Sequence, residues 1–394
     1  MGKELELYVH IPFCIRKCAY CDFLSAPSDE ATQRSYMASL SQEIKYYGAY
    51  CRDREVSTIY IGGGTPSSIR AEYIGQLMEQ LKCSFAIRPG VEISMECNPG
   101  TLSREKLAVY RESGINRLSI GLQSADDAEL KELGRIHTYA QFLSGYGMAR
   151  EAGFTNINVD LMSALPHQTT ETYLKSLRRV LSLRPEHISA YSLIIEEGTE
   201  FYRRYQKDVE KRNMGQPTEI LPDEETEYEI GEKTKELLSE KGYHHYEISN
   251  YAQKGYECRH NTGYWKRTEY LGMGLGASSL LHEVRYTNLR SLGQYMTQAA
   301  HIEPSGNGTN LHEAVQKLTR QEQMEEFMFL GLRMLDGIER REFEQSFGVP
   351  IEAVYADQIK KLTAQDLIEQ REGSIRLIAR GLDVSNYVLA EFLL

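Results

Sequence analysis

Three cysteines lie within eight residues near the start of the chain, at Cys14, Cys18 and Cys21, and this run constrains the fold more than any other feature. A Cys-x3-Cys-x2-Cys spacing is too tight for a helix to aim all three sulfurs at one point. A loop wrapped around an inorganic cluster can do so. Cubane iron–sulfur clusters are held by cysteine thiolates and usually take four of them. Three local thiolates would therefore leave one iron without a protein ligand, free to bind a substrate.

Two other interpretations of this trio are weaker. Free cysteines pack as small hydrophobes when they are buried, but three of them this close together are unusual in that role. A zinc site would normally need paired Cys-x2-Cys half-sites or histidines at fixed spacing. We therefore predict a [4Fe–4S] cluster on Cys14, Cys18 and Cys21.

Composition excludes several classes of function. The chain has 394 residues, enough for about two or three domains. Its net charge of −11 argues against nucleic acid, because phosphate binding needs a basic face. No apolar run approaches the ~18 residues of a membrane span, although peripheral membrane association stays open. We expect no signal peptide, since Met1 leads directly into a strand-like segment, and the odd count of seven cysteines favours a reducing cytoplasm.

The first half of the chain alternates between strand-like and helix-like stretches. Short apolar runs at the predicted strands end in polar or glycine-rich segments, and helical patterns lie between them. The six predicted strands are Leu5–His10, Thr58–Ile61, Val91–Met95, Arg117–Ile120, Ile157–Val159 and Ile188–Ser192. This order indicates a parallel α/β sheet built from right-handed βαβ units. The pattern alone leaves open a full barrel, an open doubly wound sheet or a partial barrel.

The cluster loop and its flanks resemble a known signature. The cysteine spacing is similar to that of the radical S-adenosylmethionine (SAM) superfamily, in which the open iron chelates SAM. The flanking residues, Tyr8-x-His10-x-Pro12-Phe13-Cys14 and Cys21-Asp22-Phe23, resemble the oxygen-independent coproporphyrinogen III oxidases and their relatives. Within that group the true oxidases carry a further cysteine where this chain has Phe23, and the HemW-type haem chaperones carry phenylalanine. The resemblance implies a (β/α)6 partial barrel.

The same resemblance implies a set of SAM-binding residues at the strand ends. Gly62-Gly63-Gly64-Thr65-Pro66 follows the second strand, where glycine lets a ligand approach the backbone. A simple tight turn is the alternative. Carboxylate, amide and guanidinium groups suit a zwitterionic nucleoside, although each such residue alone would read as an ordinary loop-end polar group. The residues carried over are Tyr8, Tyr20, Gly64, Thr65, Glu96, Gln123, Arg135 and Asp160.

The remainder of the chain divides into two further segments. We predict domains at 1–200, 201–318 and 319–394, the second beginning as a charged helical connector. It continues into His260-Asn261-Thr262-Gly263-Tyr264-Trp265, which is similar to the motif associated with haem binding in HemW-type chaperones. Imidazole is a standard axial ligand of haem iron, so the resemblance makes His260 and Trp265 candidate haem contacts. A core histidine bonded to its neighbours is the alternative. The last segment resembles a winged-helix module.

The resemblance favours a cytoplasmic haem chaperone that binds a [4Fe–4S] cluster, SAM and haem, and that delivers haem to apo-haemoproteins. The alternatives are a true coproporphyrinogen III oxidase and a radical SAM methylase or haem-processing enzyme. Phe23 counts against the oxidase, as does the expectation that seven residues before Tyr8 leave no room for the longer amino-terminal segment of the oxidases. The sequence does not determine the oligomeric state or the haem acceptor.

Overall fold

The structure is a computed structural model that describes residues 3–394. Its centre is a run of six parallel strands joined by helices on one side. The strands are β1 Lys3–Ile11, β2 Arg54–Gly63, β3 Ala86–Cys97, β4 Arg117–Gln123, β5 Ile157–Ser163 and β6 His187–Ser192. The helices between them are α1 Glu30–Tyr50, α2 Ala71–Ser84, α3 Arg104–Glu112, α4 Asp127–Glu132, α5 Tyr139–Glu151 and α6 Thr170–Leu181. All six predicted strands are present, and each is longer than its apolar run.

The strands alternate between a polar inner face and an apolar outer face. In β4, Leu118, Ile120 and Leu122 are fully buried against the helices. Ser119 and Gln123 occupy the alternate positions and face the inside of the curved sheet. Successive side chains of a strand point to opposite faces, so each strand contributes both to the core and to an inner polar chamber. This arrangement is the predicted radical SAM partial barrel.

The segment 201–318 adds strands to both edges of the same sheet. Its elements are α7 Glu200–Asn213, α8 Glu224–Glu240, β7 His244–Glu247, β8 Asn250–Ala252, α9 Arg259–Trp265, β9 Tyr270–Met273, β10 Ser278–Leu281, β11 Val284–Asn288, α10 Leu292–Gln298, β12 Pro304–Ser305, β13 Gly308–Thr309 and β14 His312–Lys317. The full order is β14-β11-β10-β9-β1-β2-β3-β4-β5-β6-β8-β7. The predicted boundary near residue 200 therefore falls between strands of one sheet.

The last segment has the predicted winged-helix arrangement. Its elements are α11 Arg320–Gly331, β15 Ile338–Glu339, α12 Arg340–Phe347, α13 Glu352–Ala364, β16 Ile368–Arg371, β17 Ser374–Leu377, α14 Ala379–Asp383 and α15 Ser385–Ala390. Three helices precede a hairpin, and β15 pairs with β17 at its edge. This segment encloses a hydrophobic core of its own. Glu326 joins it to the barrel by accepting from Arg267 at 3.1 Å and Arg285 at 2.6 Å.

Membrane insertion through a helix finds no support in the fold. Among the helices of residues 3–394, none combines the length and the apolar character needed to cross a bilayer.

Candidate functional site

A cavity of about 580 Å³ opens at the carboxyl ends of the parallel strands. Such ends are where α/β barrels place their sites, because the loops that follow the strands meet there. Ten of the thirteen residues predicted as site residues line this one cavity. They are Cys14, Cys18, Tyr20, Cys21, Gly64, Thr65, Glu96, Gln123, Arg135 and Asp160.

The cysteine loop forms one wall of the cavity. It runs between β1 and α1 and is anchored by backbone bonds from Cys14 N to Ala26 O at 3.2 Å and from Ala19 N to Leu133 O at 3.1 Å. Burial raises the pKa of the Cys14 and Cys21 thiols. Arg135 places Nη1 at 3.6 Å from Sγ of Cys18, which joins the cysteine loop to the polar wall of the cavity.

These three thiols suit a cluster better than a single ion. Across residues 3–394, no three histidine, cysteine or acidic side chains converge as closely as one bound metal ion requires. The three sulfurs instead face a common cavity without meeting at a point. A multi-iron cluster would place a different iron on each thiolate, so it does not need the three sulfurs to converge on one point.

The glycine turn is shaped by its packing against the cysteine loop. Gly64 N donates to Ile11 O at 2.9 Å, and Thr65 N donates to Phe13 O at 2.7 Å. A Cβ atom on Gly64 would lie 2.6 Å from the carbonyl oxygen of Phe13. The space that a side chain would need at Gly64 is occupied by the Phe13 backbone, so glycine is required there for contact between two loops. The backbone of Gly64 also lines the cavity, and its contact with a ligand stays a prediction. Gly63 is required for its own conformation, with φ of +114°.

Two half-buried carboxylates face the cavity, Glu96 from β3 and Asp160 from β5. Glu96 accepts from the Tyr60 hydroxyl and from Gly63 N, both at 3.0 Å. Asp160 accepts from Asn158 Nδ2 at 2.7 Å. Burial, followed by the charge of Asp160, raises the pKa of Glu96 to about 7, and burial also raises the pKa of Asp160. A bound cation would stabilise the charged form of both carboxylates and lower their pKa values.

Gln123 and Arg135 complete the polar wall. Gln123 has φ of +74° at the end of β4, a left-handed conformation that non-glycine residues rarely adopt. Its Oε1 accepts from the Tyr191 hydroxyl at 2.8 Å. Arg135 donates through Nη2 to the Gly121 carbonyl, while its buried Nε has no partner in the described chain. A guanidinium with a free donor can receive a ligand carboxylate.

Three predicted residues lie outside the cavity wall. Tyr8 faces the barrel interior lower down, where its hydroxyl is 3.0 Å from His10 Nδ1 and its ring stacks on Tyr60 with centroids 6.3 Å apart. Trp265 packs beneath the guanidinium of Arg333, 4.4 Å from its ring centroid, at the contact with the carboxyl-terminal segment. Neither residue lines the cavity.

His260 is the third, and its surroundings match the alternative interpretation of a core histidine. Its side chain is 1% exposed. Nδ1 is 2.7 Å from Thr58 Oγ1, and Nε2 is 3.0 Å from the Tyr264 hydroxyl. Burial and the charge of Arg117 lower the pKa of His260 to about 3. With both nitrogens bonded and no open face, His260 does not offer an iron ligand in this conformation.

Sequence reasoning missed the polar floor of the cavity. Its residues include Tyr60, Arg117, Ser119, Asn158, Tyr191, Asn250 and Asn261. Asn158 stands two residues before the predicted site residue Asp160 in β5, and Ser119 stands four residues before Gln123 in β4. Period-two alternation of polar and apolar residues in β4 and β5 was the signal that could have found them. Cys97, the last residue of β3, also lines the cavity.

Two family models match the chain. Residues 8–180 match the radical SAM superfamily, and residues 318–384 match the HemN C-terminal domain. Among solved structures, the coproporphyrinogen III oxidase HemN from Escherichia coli, a radical SAM enzyme, aligns with a TM-score of 0.83 and 25% identity. That alignment covers 100% of this chain and 90% of the oxidase.

Curated relatives match over nearly their whole length. Heme chaperone HemW of Lactococcus lactis is 36% identical across 100% of this chain and 98% of its own length. The Bacillus subtilis protein of the same name is also 36% identical, and the Escherichia coli protein is 34% identical, each over 98% of its own length. The fold, the cysteine loop and these identities together show that the chain belongs to the HemW family of the radical SAM superfamily.

Proposed function

We propose that this chain is a haem chaperone that holds a [4Fe–4S] cluster on Cys14, Cys18 and Cys21, binds SAM in the adjoining cavity and passes haem to apo-haemoproteins. One observation carries the cofactor half of this proposal. The three cysteine side chains face the same cavity as Glu96, Gln123, Arg135 and Asp160. The haem half rests on the name shared by the relatives.

Different residues of the cavity would contact different groups of SAM. When bound, a cluster of this type supplies an iron without a protein ligand and a source of electrons. Glu96 and Asp160 offer acceptors for the ammonium and hydroxyl groups of the nucleoside. Arg135 offers donors to its carboxylate and a positive charge beside Cys18. Gln123 is held by Tyr191 and presents its amide nitrogen as a further donor.

Haem would bind at the mouth of the cavity. Phe23 and Ile194 line the mouth and are 67% and 70% exposed, which is unusual for large apolar side chains. Arg16 and Lys17 stand beside them on the cysteine loop and can receive propionate groups. Asp22 and Glu196 also line the mouth, and their negative charges balance those of Arg16 and Lys17. Individual contacts with the two cations, and not a net positive charge, would therefore orient the porphyrin. We therefore move the proposed haem contact from His260 to this rim.

The alternative function is oxidation of coproporphyrinogen III, and the fold of HemN favours it. Such an enzyme must bring each reacting carbon close to the radical source and exclude water. Phe23, where the oxidases carry a cysteine, instead presents an exposed apolar ring at the mouth. All seven cysteines are free, which fits work in the reducing cytoplasm.

Haem titration of the reconstituted protein tests whether haem binds at the rim. Phe23→Glu and Ile194→Glu should each weaken haem binding about tenfold, because each replaces apolar contact with a charge. Met214→Glu is the matched control, since Met214 is also 70% exposed but lies outside the cavity wall. Equal haem affinity in all three variants would show that haem does not bind at the rim. Absence of haem binding by the wild type would refute the chaperone function.

A further inference from the structure

The segment that carries His260, Asn261 and Trp265 is a short helix inside the barrel. Helix α9 packs against the inner face of β1, β2 and β3, on the side away from the cysteine loop. A Cβ atom on Gly263 would overlap the carboxylate of Glu6 on β1, so the helix backbone lies directly on that side chain. Glu92 on β3 accepts from Arg259 N at 3.2 Å and from His260 N at 3.3 Å. The helix therefore closes the amino-terminal end of the chamber.

His260 fixes the rotation of this helix. It is bonded to Thr58 at 2.7 Å and stacks on the ring of Tyr60 with centroids 5.1 Å apart. The Tyr264 hydroxyl, one turn along the same helix, meets its other nitrogen. Adjacent residues of a helix point in directions that differ by a fixed angle. Holding His260 against β2 therefore sets where Asn261 points, and Asn261 lines the cavity.

The start of α9 is also connected to Asp160 by a chain of buried hydrogen bonds. Asn158 donates to Asp160 at 2.7 Å and accepts from His187 Nδ1 at 2.6 Å. His187 Nε2 accepts from the Tyr246 hydroxyl at 2.8 Å, and that hydroxyl accepts from Cys258 N at 3.2 Å. Each donor in this chain meets one acceptor, so a single neutral tautomer of His187 satisfies every bond.

The floor of the cavity has unmet hydrogen-bonding capacity. Within the part of the chain that the structure describes, Nε of Arg117 and Oδ1 of Asn250 are buried without a partner. Both residues line the cavity together with Asn261. Buried polar groups are nearly always satisfied by protein, water or ligand, so the floor has hydrogen-bonding positions open to a polar ligand or a bound water.

We propose that helix α9 is the floor of the SAM cavity, that Asn261 contacts the bound SAM, and that His260 is the positioning residue that holds Asn261 in place. This inference rests on the proposed binding of SAM in the same cavity. It gives the motif a role in cofactor binding, and it accounts for a histidine that is buried and bonded on both nitrogens.

SAM titration of the anaerobically reconstituted protein tests the inference. Asn261→Ala should weaken SAM binding about tenfold, as expected for one lost hydrogen bond in a closed site. His260→Ala should weaken it similarly, and His260→Asn, which keeps a polar atom near Nδ1, should restore part of the affinity. Neither alanine variant should lose iron or change the absorbance of bound haem. Asn307→Ala and His244→Ala, at exposed positions, are the matched controls.

Hydrogen exchange gives a second measurement that does not depend on the variants. Amides of α9 should exchange more slowly in the wild type after SAM is added. Unchanged SAM affinity in Asn261→Ala together with unchanged exchange would overturn the inference while leaving the proposed function intact. Loss of haem binding in His260→Ala with normal SAM affinity would also overturn it, in favour of a haem ligand. Failure of the wild type to bind SAM would refute the proposed function itself.

Discussion

The backbone N–H of Gly63 donates to Oε2 of Glu96 at 3.0 Å, which joins the glycine turn after β2 to the carboxylate near the end of β3. The second oxygen of Glu96 accepts from Tyr60. The carboxylate is therefore held in place, and it has no salt-bridge partner among residues 3–394. Burial, followed by the charge of Asp160, raises its pKa to about 7. An ammonium group in the cavity would supply the missing charge.

SAM affinity should consequently increase with pH through neutrality. Below pH 7 Glu96 takes up a proton and cannot pair with an ammonium, so affinity should fall about tenfold for each pH unit below that value. Glu96→Gln should bind SAM weakly and without this pH dependence. Glu112→Gln, at an exposed position on α3, is the control and should follow the wild type. A SAM affinity that stays constant between pH 6 and 8 in the wild type would show that Glu96 does not pair with the ammonium group.

Iron content should depend on three of the seven cysteines. Alanine at Cys14, Cys18 or Cys21 should remove most of the iron and sulfide after anaerobic reconstitution, since one missing thiolate leaves the cluster with two ligands. Cys51→Ala and Cys83→Ala are the controls. Cys51 is buried away from the cavity and Cys83 is exposed, so both variants should keep about four irons. A full cubane in Cys18→Ala would show that the ligand assignment is wrong.

Gly64→Ala should destabilise the contact between the glycine turn and the cysteine loop. The added Cβ would lie 2.6 Å from the Phe13 carbonyl, and overpacking of this kind costs about 1–3 kcal/mol. SAM binding should weaken as the two loops separate. Gly147→Ala on α5 has open space around its Cβ and should stabilise the protein by about 0.5–1 kcal/mol. Denaturant unfolding measures both, and equal stability of the two variants would contradict the close approach.

The site residues could be predicted because they are polar or charged residues at the ends of apolar, strand-like runs. Glu96 and Asp160 follow or end apolar runs, and parallel strands bring their carboxyl ends together. The edge strands β7 to β11 and β14 could not be predicted, because most have three to five residues and depend on pairing with a sheet that already exists. Their segment, 201–318, was expected to be a domain of its own that begins as a charged helical connector.

The environment of His260 could not be predicted from the sequence either. Whether a histidine ligates iron or fills a core depends on what surrounds its two nitrogens, and those partners come from β2 and from its own helix. Arg117 shows the same limit. A guanidinium at the start of a strand suggests an exposed edge, yet Arg117 is 2% exposed inside the barrel.

Glu6 should make the stability of the protein depend on pH. Burial raises its pKa from 4.5 to about 9, so between these values the folded chain holds a proton that the unfolded chain releases. The free energy of unfolding should fall with rising pH, by at most about 1.4 kcal/mol per unit from this group. Glu6→Gln should remove that dependence. The gain of Glu6→Gln over the wild type should therefore be larger at pH 8 than at pH 6 in urea unfolding, and a constant gain would mean that Glu6 stays charged.

The central claim is that the chain carries haem and does not make it. The most direct measurement incubates the reconstituted protein, SAM and a reductant either with haem and an apo-haemoprotein, or with coproporphyrinogen III. Absorbance should show haem moving to the acceptor faster than free haem would, while chromatography should show coproporphyrinogen III unchanged. Protoporphyrinogen formed over many turnovers, with no acceleration of haem transfer, would contradict the account and assign the chain to the oxidases.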